Sequence, residues 1–326
     1  MADKKLLVSG KIYDCRPEET VLEALLRQKV EVPNLCQHQV CLTCMMRSLS
    51  GPPPSDAQTN LKEVLRVQHF FLACGCRPER DMEIAPAEET IAVQATATVA
   101  ELNRLNPHIL ELVLECDPPL HYRGGQSMTL FNQDGIGKGF PIASPTSTRL
   151  SGRIELHVER IPGAYFSEWV HDSLRVGDVL TACGATGELF YGVGCPRKPL
   201  LMAGWNGGLG ALIGVMQDAF ENEHVGPVYL FHGASDKAQL YFVDELKEIG
   251  EKFPNFHYVP SVEHGSAPDG IACGTVHSLA SRLLPDHLSG WNVFLCGARS
   301  EVLTFQRQAY LAGTAMNDIR LEVTSI

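Results

Sequence analysis

The sequence predicts a multidomain protein with a small α+β domain, an antiparallel β-barrel and a doubly wound α/β domain. Three observations support this fold class. The chain has 326 residues, more than one domain of ordinary size contains. Six of its eleven cysteines lie before residue 77, glycine-punctuated strands follow, and strands alternate with helices towards the C-terminus. We place the domains at 1–88, 89–195 and 196–326.

Composition and charge narrow the class of protein. The apolar fraction of 44% is ordinary for a globular protein, and no apolar run reaches the roughly 20 residues of a membrane span. The N-terminus MADKKLLVSG lacks the apolar core of a secretory signal, so we expect a cytoplasmic protein. The net charge of −11 argues against a nucleic-acid partner.

Four cysteines form the strongest motif. Cys36, Cys41 and Cys44 have the spacing C-x4-C-x2-C, and Cys74 follows after 29 residues. This is the plant-type spacing for a 2Fe–2S cluster, in which four thiolates supply two ligands to each iron. A zinc site is the alternative, but it favours two C-x2-C pairs, and unrelated buried cysteines are another. We predict these four residues as the metal ligands and Cys76 as a bystander.

The residues around the cysteines favour an α+β domain. Residues 5–16 predict two short strands around Ser9-Gly10, and Thr20 to Arg27 predicts a helix that begins with a capping box between Thr20 and Glu23. This order resembles the β-grasp ferredoxin domain. That family usually has a glycine at the position of Gln39, so we expect Gln39 to need either a left-handed backbone or a shifted loop.

The second domain is predicted to be a small barrel. The pattern indicates one helix, Phe166 to Leu174, and several short strands separated by glycines. The predicted strands are 93–102, 108–116, 127–133, 153–161 and 179–184. Arg123-Gly124-Gly125-Gln126 looks like the entry to the flavin barrel strand of the ferredoxin–NADP reductase superfamily. Essentially the whole chain resembles that superfamily, in particular the reductase components of bacterial multicomponent oxygenases.

That resemblance implies FAD in the barrel. The family motif Arg-x-Tyr-Ser is matched by the stretch Lys138-Gly139-Phe140-Pro141, which Ile142-Ala143-Ser144 follows. Phe140 is expected to stack on the flavin and Lys138 to face the pyrophosphate. Pro141 lacks the hydroxyl of the family serine, and Ser144 or Thr146 is the candidate to replace it. A barrel without flavin is the alternative.

A second stretch is implied to contact the same flavin. Residues 155–160 resemble the second flavin strand of the family, and the Gly-x-x-x-Ser turn that follows would offer N–H groups to the pyrophosphate. The residues carried over are His157, Val158, Gly163, Phe166 and Ser167.

Strand–helix alternation from Pro199 predicts a doubly wound parallel sheet. The predicted strands are Leu200–Ala203, Val228–His232, Phe256–Val262, Val293–Cys296 and Ile319–Val323. The predicted helices are 209–222, 243–253, 275–284 and 300–313.

Two turns of this domain resemble the family's nicotinamide site. The first strand ends in Gly204-Trp205-Asn206-Gly207-Gly208-Leu209-Gly210, in which Gly210 replaces the family proline and Trp205 is expected to narrow the pocket. Gly204, Asn206 and Gly207 are the predicted cofactor contacts. Cys296-Gly297 resembles the turn that flanks the hydride-transfer point, so Cys296 and Phe140 are the predicted catalytic residues. Cys296 alone would read as a core cysteine.

An acidic residue after the second strand favours NADH. Asp236 would repel a 2′-phosphate, although the neighbouring Lys237 weakens the inference. The resemblance implies that NADH gives a hydride to FAD, which can pass single electrons to the cluster. The expected partner is an oxygenase component, Rieske or di-iron. Two alternatives stay open: another acceptor, such as a deoxysugar dehydratase, or a non-catalytic electron carrier or redox sensor.

Overall fold

The computed structural model describes residues 3–30, 32–34, 36–39, 42–61, 65–66, 68–86, 94–194, 196–264, 270–284 and 287–325. The chain divides into two compact units, Met1–Val93 and Gln94–Ile326. The predicted boundary at 88/89 falls outside the described residues, and the boundary at 195/196 falls inside the second unit, so the three-part division stays a prediction. In the described ranges, no helix is long and apolar enough to cross a membrane.

Over its described residues, the first unit is a five-stranded mixed sheet that packs against a helix. Its strands run in the order β2-β1-β5-β3-β4, with β1 parallel to β5 and the other pairs antiparallel. Their bounds are β1 Lys4–Val8, β2 Lys11–Cys15, β3 Met45–Ser48, β4 Phe70–Leu72 and β5 Met82–Pro86. The two predicted N-terminal strands are confirmed.

The helix of this unit, α1, spans Val21–Arg27 and buries one face under the sheet. The predicted capping box is present. The Thr20 hydroxyl accepts from the Glu23 N–H at 3.2 Å, and the Glu23 carboxylate accepts from the Thr20 N–H at 2.8 Å. The box satisfies N–H groups that the first turn of a helix leaves without partners.

The second unit begins with an antiparallel barrel. Its strands are β6 Gln94–Arg104, β7 Ile109–Asp117, β8 Ser127–Phe131, β9 Gly137–Pro141, β10 Arg153–Glu159 and β11 Val179–Thr186, in the order β10-β7-β6-β11-β8-β9. A bridge between Ile142 and Leu156 joins the two edges and closes the barrel. The five predicted strands are present, but the prediction lacked β9. The predicted helix is α2, Tyr165–Asp172.

A six-stranded parallel sheet completes the second unit. Its strands are β12 Leu200–Trp205, β13 Val228–Ala234, β14 Phe256–Val262, β15 Ala272–Cys273, β16 Asn292–Ala298 and β17 Ile319–Ser325. The strands are arranged in the order β15-β14-β13-β12-β16-β17. Their sequence order changes from descending to ascending between β12 and β16, as a doubly wound sheet requires. Four helices connect the strands: α3 Leu209–Glu221, α4 Val243–Lys252, α5 Val276–Leu283 and α6 Arg299–Leu311.

Helix α3 lies between the sheet and the barrel, which explains why it is apolar on nearly all sides. Gly214 allows the close approach: a Cβ there would lie 2.9 Å from the Ile142 carbonyl oxygen and 3.0 Å from that of Ala143. One buried carboxylate, that of Asp218, accepts hydrogen bonds from the barrel residues Gly124 and Thr146. The helix therefore holds the barrel against the nucleotide-binding sheet.

Candidate functional site

The cysteine loop curls through left-handed residues. Gln37, Gln39 and Leu42 have φ angles of 55°, 60° and 59°, so the expectation for Gln39 is confirmed. The Gln39 side chain lies over Gly75, where a Cβ would come within 2.2 Å of the side-chain amide. The absence of a side chain at Gly75 thus accommodates the glutamine that stands in the family's glycine position.

Two of the predicted ligand sulfurs accept hydrogen bonds from backbone N–H groups. The His38 N–H donates to the Cys36 sulfur at 3.4 Å, and the Cys74 N–H donates to the buried Cys44 sulfur. Burial raises the pKa of the Cys44 thiol to about 11, so binding of iron there would displace a proton. Thiolates that accept N–H bonds suit an iron–sulfur cluster.

The complete ligand set stays a prediction, because Cys41 lies outside the described residues. Over the ranges given above, no three Cys, His, Asp or Glu side chains are arranged as a metal site. Cys76 is fully buried in the core of the first unit.

The second unit has a cavity of about 200 Å³ at the place where the flavin is predicted. It is lined by fourteen residues from β9, β10, the turn into α2, the glycine turn after β12 and the C-terminal strand. Seven of them are predicted site residues: Lys138, Phe140, Pro141, His157, Phe166, Ser167 and Gly207. The remaining seven are Gly137, Gly139, Glu159, Ile161, Ala164, Tyr165 and Thr324.

Aromatic rings and a cation give this cavity the character of a flavin site. The rings of Phe140 and Phe166 are nearly buried, with centroids 5.6 Å apart. Lys138 supplies a positive charge at the rim on β9. Apolar rings beside a few polar groups are the usual lining of a small-molecule site. The residues present therefore fit part of a flavin dinucleotide.

The other predicted residues of β9 and β10 lie behind the cavity wall. Ile142, Ala143 and Val158 are buried in or beside the barrel core. Ser144 is equally buried, where its hydroxyl lies 2.9 Å from that of Tyr122 and accepts from the Glu155 N–H at 3.1 Å.

Neither candidate for the missing serine hydroxyl lines the cavity. Ser144 is bound inside the barrel, and the Thr146 hydroxyl donates to Asp218. Each hydroxyl completes a buried hydrogen bond away from the lining of this cavity, so the substitution of either one for the family serine stays a prediction.

The turn into α2 is tied by its own side chains. The Ser167 hydroxyl accepts from the Ile161 N–H at 3.1 Å, and the Glu168 carboxylate accepts from the Gly163 N–H at 3.1 Å. Gly163 has a φ of 79°, which a glycine adopts without strain, and it is exposed. Ser167 reaches the cavity; Gly163 shapes the turn.

The two predicted nicotinamide turns meet between β12 and β16, where the strand order of the parallel sheet reverses. Gly204 of β12 pairs with Cys296 of β16, and Asn206 follows with a φ of 48°. A Cβ on Gly208 would lie 2.2 Å from the Cys296 carbonyl oxygen, so the turn packs directly on β16. Strand ends at such a reversal are the usual place for a dinucleotide.

Several predicted nicotinamide residues do not line the cavity. Cys296 is fully buried behind Gly208, and Gly204 and Gly297 are buried beside it. Asp236 is exposed, where its carboxylate accepts from the Ala238 N–H at 2.9 Å.

Trp205 does not narrow this cavity. Its ring contacts His277 and Phe305 on the opposite face of the sheet, at centroid distances of 5.6 and 6.0 Å. Successive residues of a strand face opposite sides, which explains the difference from the expectation.

Two residues that the motifs did not indicate are central to the geometry. The Glu159 carboxylate accepts from the Gly207 N–H at 3.3 Å and is hydrogen-bonded to the Asn206 side chain. Burial raises the pKa of this carboxyl. The Tyr241 hydroxyl lies 3.0 Å from Nδ1 of His157. Glu159 could have been found, because it lies two residues after His157 and so on the same face of β10. Tyr241 gives no local signal in the sequence.

The space above the glycine turn is filled from the barrel. A Cβ on Gly210 would lie 2.6 Å from His157 Nδ1, and one on Gly207 would lie 3.0 Å from Glu159 Cβ. A proline at position 210 would collide with the His157 ring. The change from the family proline to Gly210 is therefore matched by the histidine that faces it.

Comparisons with known proteins also indicate a cluster-binding domain and a nicotinamide-binding domain. A model of the 2Fe–2S iron–sulfur cluster binding domain matches residues 6–79, and a model of the oxidoreductase NAD-binding domain matches 207–308. The phenol hydroxylase P5 protein of Acinetobacter pittii is 29% identical over 301 residues, which cover 88% of this chain and 84% of that protein. A CDP-6-deoxy-L-threo-D-glycero-4-hexulose-3-dehydrase reductase of Yersinia pestis is 25% identical over 320 residues, 96% of this chain and 95% of that one.

The sequence comparison and the structural comparison each include a reductase from Amycolatopsis. The reductase subunit of an aromatic O-demethylase of Amycolatopsis sp. is 30% identical over 303 residues, 89% of each chain. The crystal structure of the Amycolatopsis cytochrome P450 reductase GcoB superposes with a TM-score of 0.66 at 26% identity, over 99% of both chains. The chain thus belongs to the ferredoxin reductase type of NAD(P)H-dependent oxidoreductases, which combine a 2Fe–2S domain with flavin and nicotinamide sites.

Proposed function

We propose that this chain takes a hydride from NADH and delivers single electrons to an oxygenase component. The observation that carries the proposal is the presence, in one chain, of a plant-type cysteine loop and a cavity that joins a flavin barrel to a nicotinamide turn. The flavin, when bound, supplies the conversion between a two-electron donor and a one-electron acceptor.

The residues of the cavity would bind and orient that flavin. Phe140 and Phe166 offer apolar ring surface, and Lys138 offers a charge to an anionic group. The glycine turn approaches closely because Gly207 and Gly208 have no side chains. We assign Cys296 to the packing behind that turn rather than to direct contact, because its side chain is fully buried.

Cys36, Cys44 and Cys74, with Cys41 as the fourth, are proposed to hold the 2Fe–2S cluster. The His38 and Cys74 N–H groups that point at two of these sulfurs would stabilise negative charge on them. The loop segment Gln37-His38-Gln39 contains no Asp, Glu, Lys or Arg. Partner docking would then depend on shape more than on long-range steering.

NADH is the proposed donor because Asp236 lies exposed just beyond the end of β13. A carboxylate there repels a 2′-phosphate and accepts from ribose hydroxyls. Asp236→Ser is expected to raise kcat/KM for NADPH relative to that for NADH. An unchanged ratio would show that Asp236 only caps the short helical turn at Lys237–Gln239.

The acceptor is proposed from the relatives, whose names include phenol hydroxylase and aromatic O-demethylase systems. The proposed oxygenase receives the electrons at a Rieske or a di-iron centre, and reconstitution with one enzyme of each kind distinguishes the two. NADH-coupled product formation with neither, but with a deoxysugar dehydratase, would favour the alternative acceptor that the Yersinia relative represents.

A pair of cysteine variants tests the electron path. Cys74→Ser is expected to abolish NADH-driven reduction of cytochrome c, a one-electron acceptor, while ferricyanide reduction at the flavin continues. Cys273→Ser is the matched control, because Cys273 is exposed on β15 of the other unit. Equal cytochrome c reduction by both variants would exclude Cys74 from the path.

A further inference from the structure

The His157 ring is held in a single orientation on the wall of the cavity. Its Nδ1 lies 3.0 Å from the Tyr241 hydroxyl, and its ring makes edge contacts with Tyr241 and Phe242 at 5.4 and 5.5 Å. Phe242 adopts a left-handed backbone with a φ of 55°, a costly conformation for an aromatic residue. Gly210 leaves room for the same edge of the ring, since a Cβ there would lie 2.6 Å from His157 Nδ1.

The partners of Tyr241 determine where the histidine proton lies. The Tyr241 oxygen accepts from the Gly210 backbone N–H in the first turn of α3, so its own proton is free for His157 Nδ1. In the part of the chain that the structure describes, Tyr241 has no other acceptor for that proton. Burial lowers the pKa of His157 to about 3, which favours the neutral ring. If Nδ1 of a neutral ring accepts from the Tyr241 hydroxyl, the ring proton lies on Nε2.

We propose that His157 presents a fixed Nε2–H donor to an acceptor atom of the flavin, and that Tyr241 is the positioning residue that holds this tautomer. The inference rests on the proposed flavin site. Pro141, on the same cavity wall, has no backbone N–H to offer. His157 thus supplies a hydrogen-bond donor on the cavity wall where the family's serine is replaced by Pro141. Through Tyr241, which accepts from the Gly210 N–H, this histidine is also linked to the first turn of α3.

Two isosteric variants separate the two ring nitrogens. His157→Gln places an amide nitrogen near the position of Nε2, whereas His157→Asn reaches only the position of Nδ1. We expect H157Q to bind FAD as the wild type does and H157N to bind it about 2- to 12-fold more weakly, the value of one net hydrogen bond. The flavin midpoint potential should shift in H157N and be restored in H157Q.

Tyr241→Phe tests the positioning role by a readout that packing alone does not move. Long-range ¹H–¹⁵N correlation spectra of histidine-labelled protein should show one Nε2–H tautomer for His157 in the wild type. In Y241F the Nδ1 partner is absent, so the same spectrum should show a mixture of tautomers.

The outcomes distinguish this inference from the proposed function. If H157N and H157Q bind FAD equally, or if Y241F keeps a single Nε2–H tautomer, the donor and its positioning are refuted while the flavin site stands. If the wild type itself binds no FAD, the proposed function fails first. Far-ultraviolet circular dichroism of each variant shows whether the unit remains folded.

Discussion

Removal of the negative charge from Asp218 should loosen the barrel from the nucleotide-binding sheet. Asp218 is 2% exposed, on the face of α3 that meets the barrel. One carboxylate oxygen accepts from the Thr146 N–H at 2.6 Å. The other accepts from the Gly124 N–H at 3.1 Å and from the Thr146 hydroxyl. All three donors belong to the barrel, so the carboxylate connects two sheets that share no strand.

The magnitude for Asp218→Asn follows from the donor count. The amide nitrogen of asparagine cannot accept, so at least one buried donor loses its partner, and the bonds that remain are no longer assisted by a charge. An orphaned buried donor costs about 1–3 kcal/mol, and the lost charge adds to it, which gives about 2–4 kcal/mol. For a unit of this size that corresponds to a fall in Tm of roughly 4–16 °C.

Tryptophan fluorescence is a suitable assay, because all three tryptophans, at 169, 205 and 291, lie in the second unit. Glu221→Gln is the matched control: it makes the same chemical change on the same helix, at an exposed carboxylate that accepts from the Ser147 hydroxyl at 2.9 Å. We expect that control to stay within about 0.5 kcal/mol of the wild type. Equal Tm values for D218N and E221Q would refute the role of the buried carboxylate.

Three further predictions follow from packing, titration and capping. Gly214→Ala should destabilise the second unit by about 1–3 kcal/mol, since its Cβ would meet backbone atoms of Gly125 and Ile142 within about 3 Å; urea unfolding measures it. Burial lowers the pKa of His157 and of His232 from 6.5 to about 3, so the unfolded chain binds protons that the folded chain does not. The free energy of unfolding should therefore decrease as the pH is lowered below about 6.5. His232→Phe should reduce the slope of this free energy against pH by about 1.4 kcal/mol per pH unit. An unchanged slope would contradict the burial argument. Thr20→Ala should cost the first unit about 1 kcal/mol through its capping box, measured by thermal loss of the cluster absorbance, whereas the exposed Thr59→Ala should not.

The parts of the fold with strong local periodicity were predictable from the sequence. Alternation and β-branched residues indicated β6 to β8 and β12 to β14, and the capping pair Thr20/Glu23 marked the start of α1. Strand β9 could not be predicted from the sequence, because its residues Gly137-Lys138-Gly139-Phe140-Pro141 include two glycines and a proline. It is a strand because it pairs with β8, a contact that no local pattern encodes.

Some residues of the candidate site were likewise predictable from the sequence, and others were not. Residues on continuous motifs, such as Phe140 and His157, were predicted and reach the cavity. Tyr241 was missed because its contact with His157 forms only when the segment before α4 meets the barrel, which is a tertiary event. Glu159 shares a face of β10 with the predicted His157, but its partner Gly207 is likewise distant in sequence. Cys296 was expected beside the reacting atoms, but the turn at Gly208 covers it.

The central claim is that electrons pass from NADH through the flavin site to the cysteine-bound cluster. The most direct test is the anaerobic addition of NADH to the purified holoprotein, followed by visible absorbance and low-temperature EPR. We expect the flavin band to bleach and a rhombic signal of a reduced 2Fe–2S cluster to appear. If the cluster is present and NADH leaves both chromophores oxidised, the chain does not transfer hydride and the proposed function is contradicted.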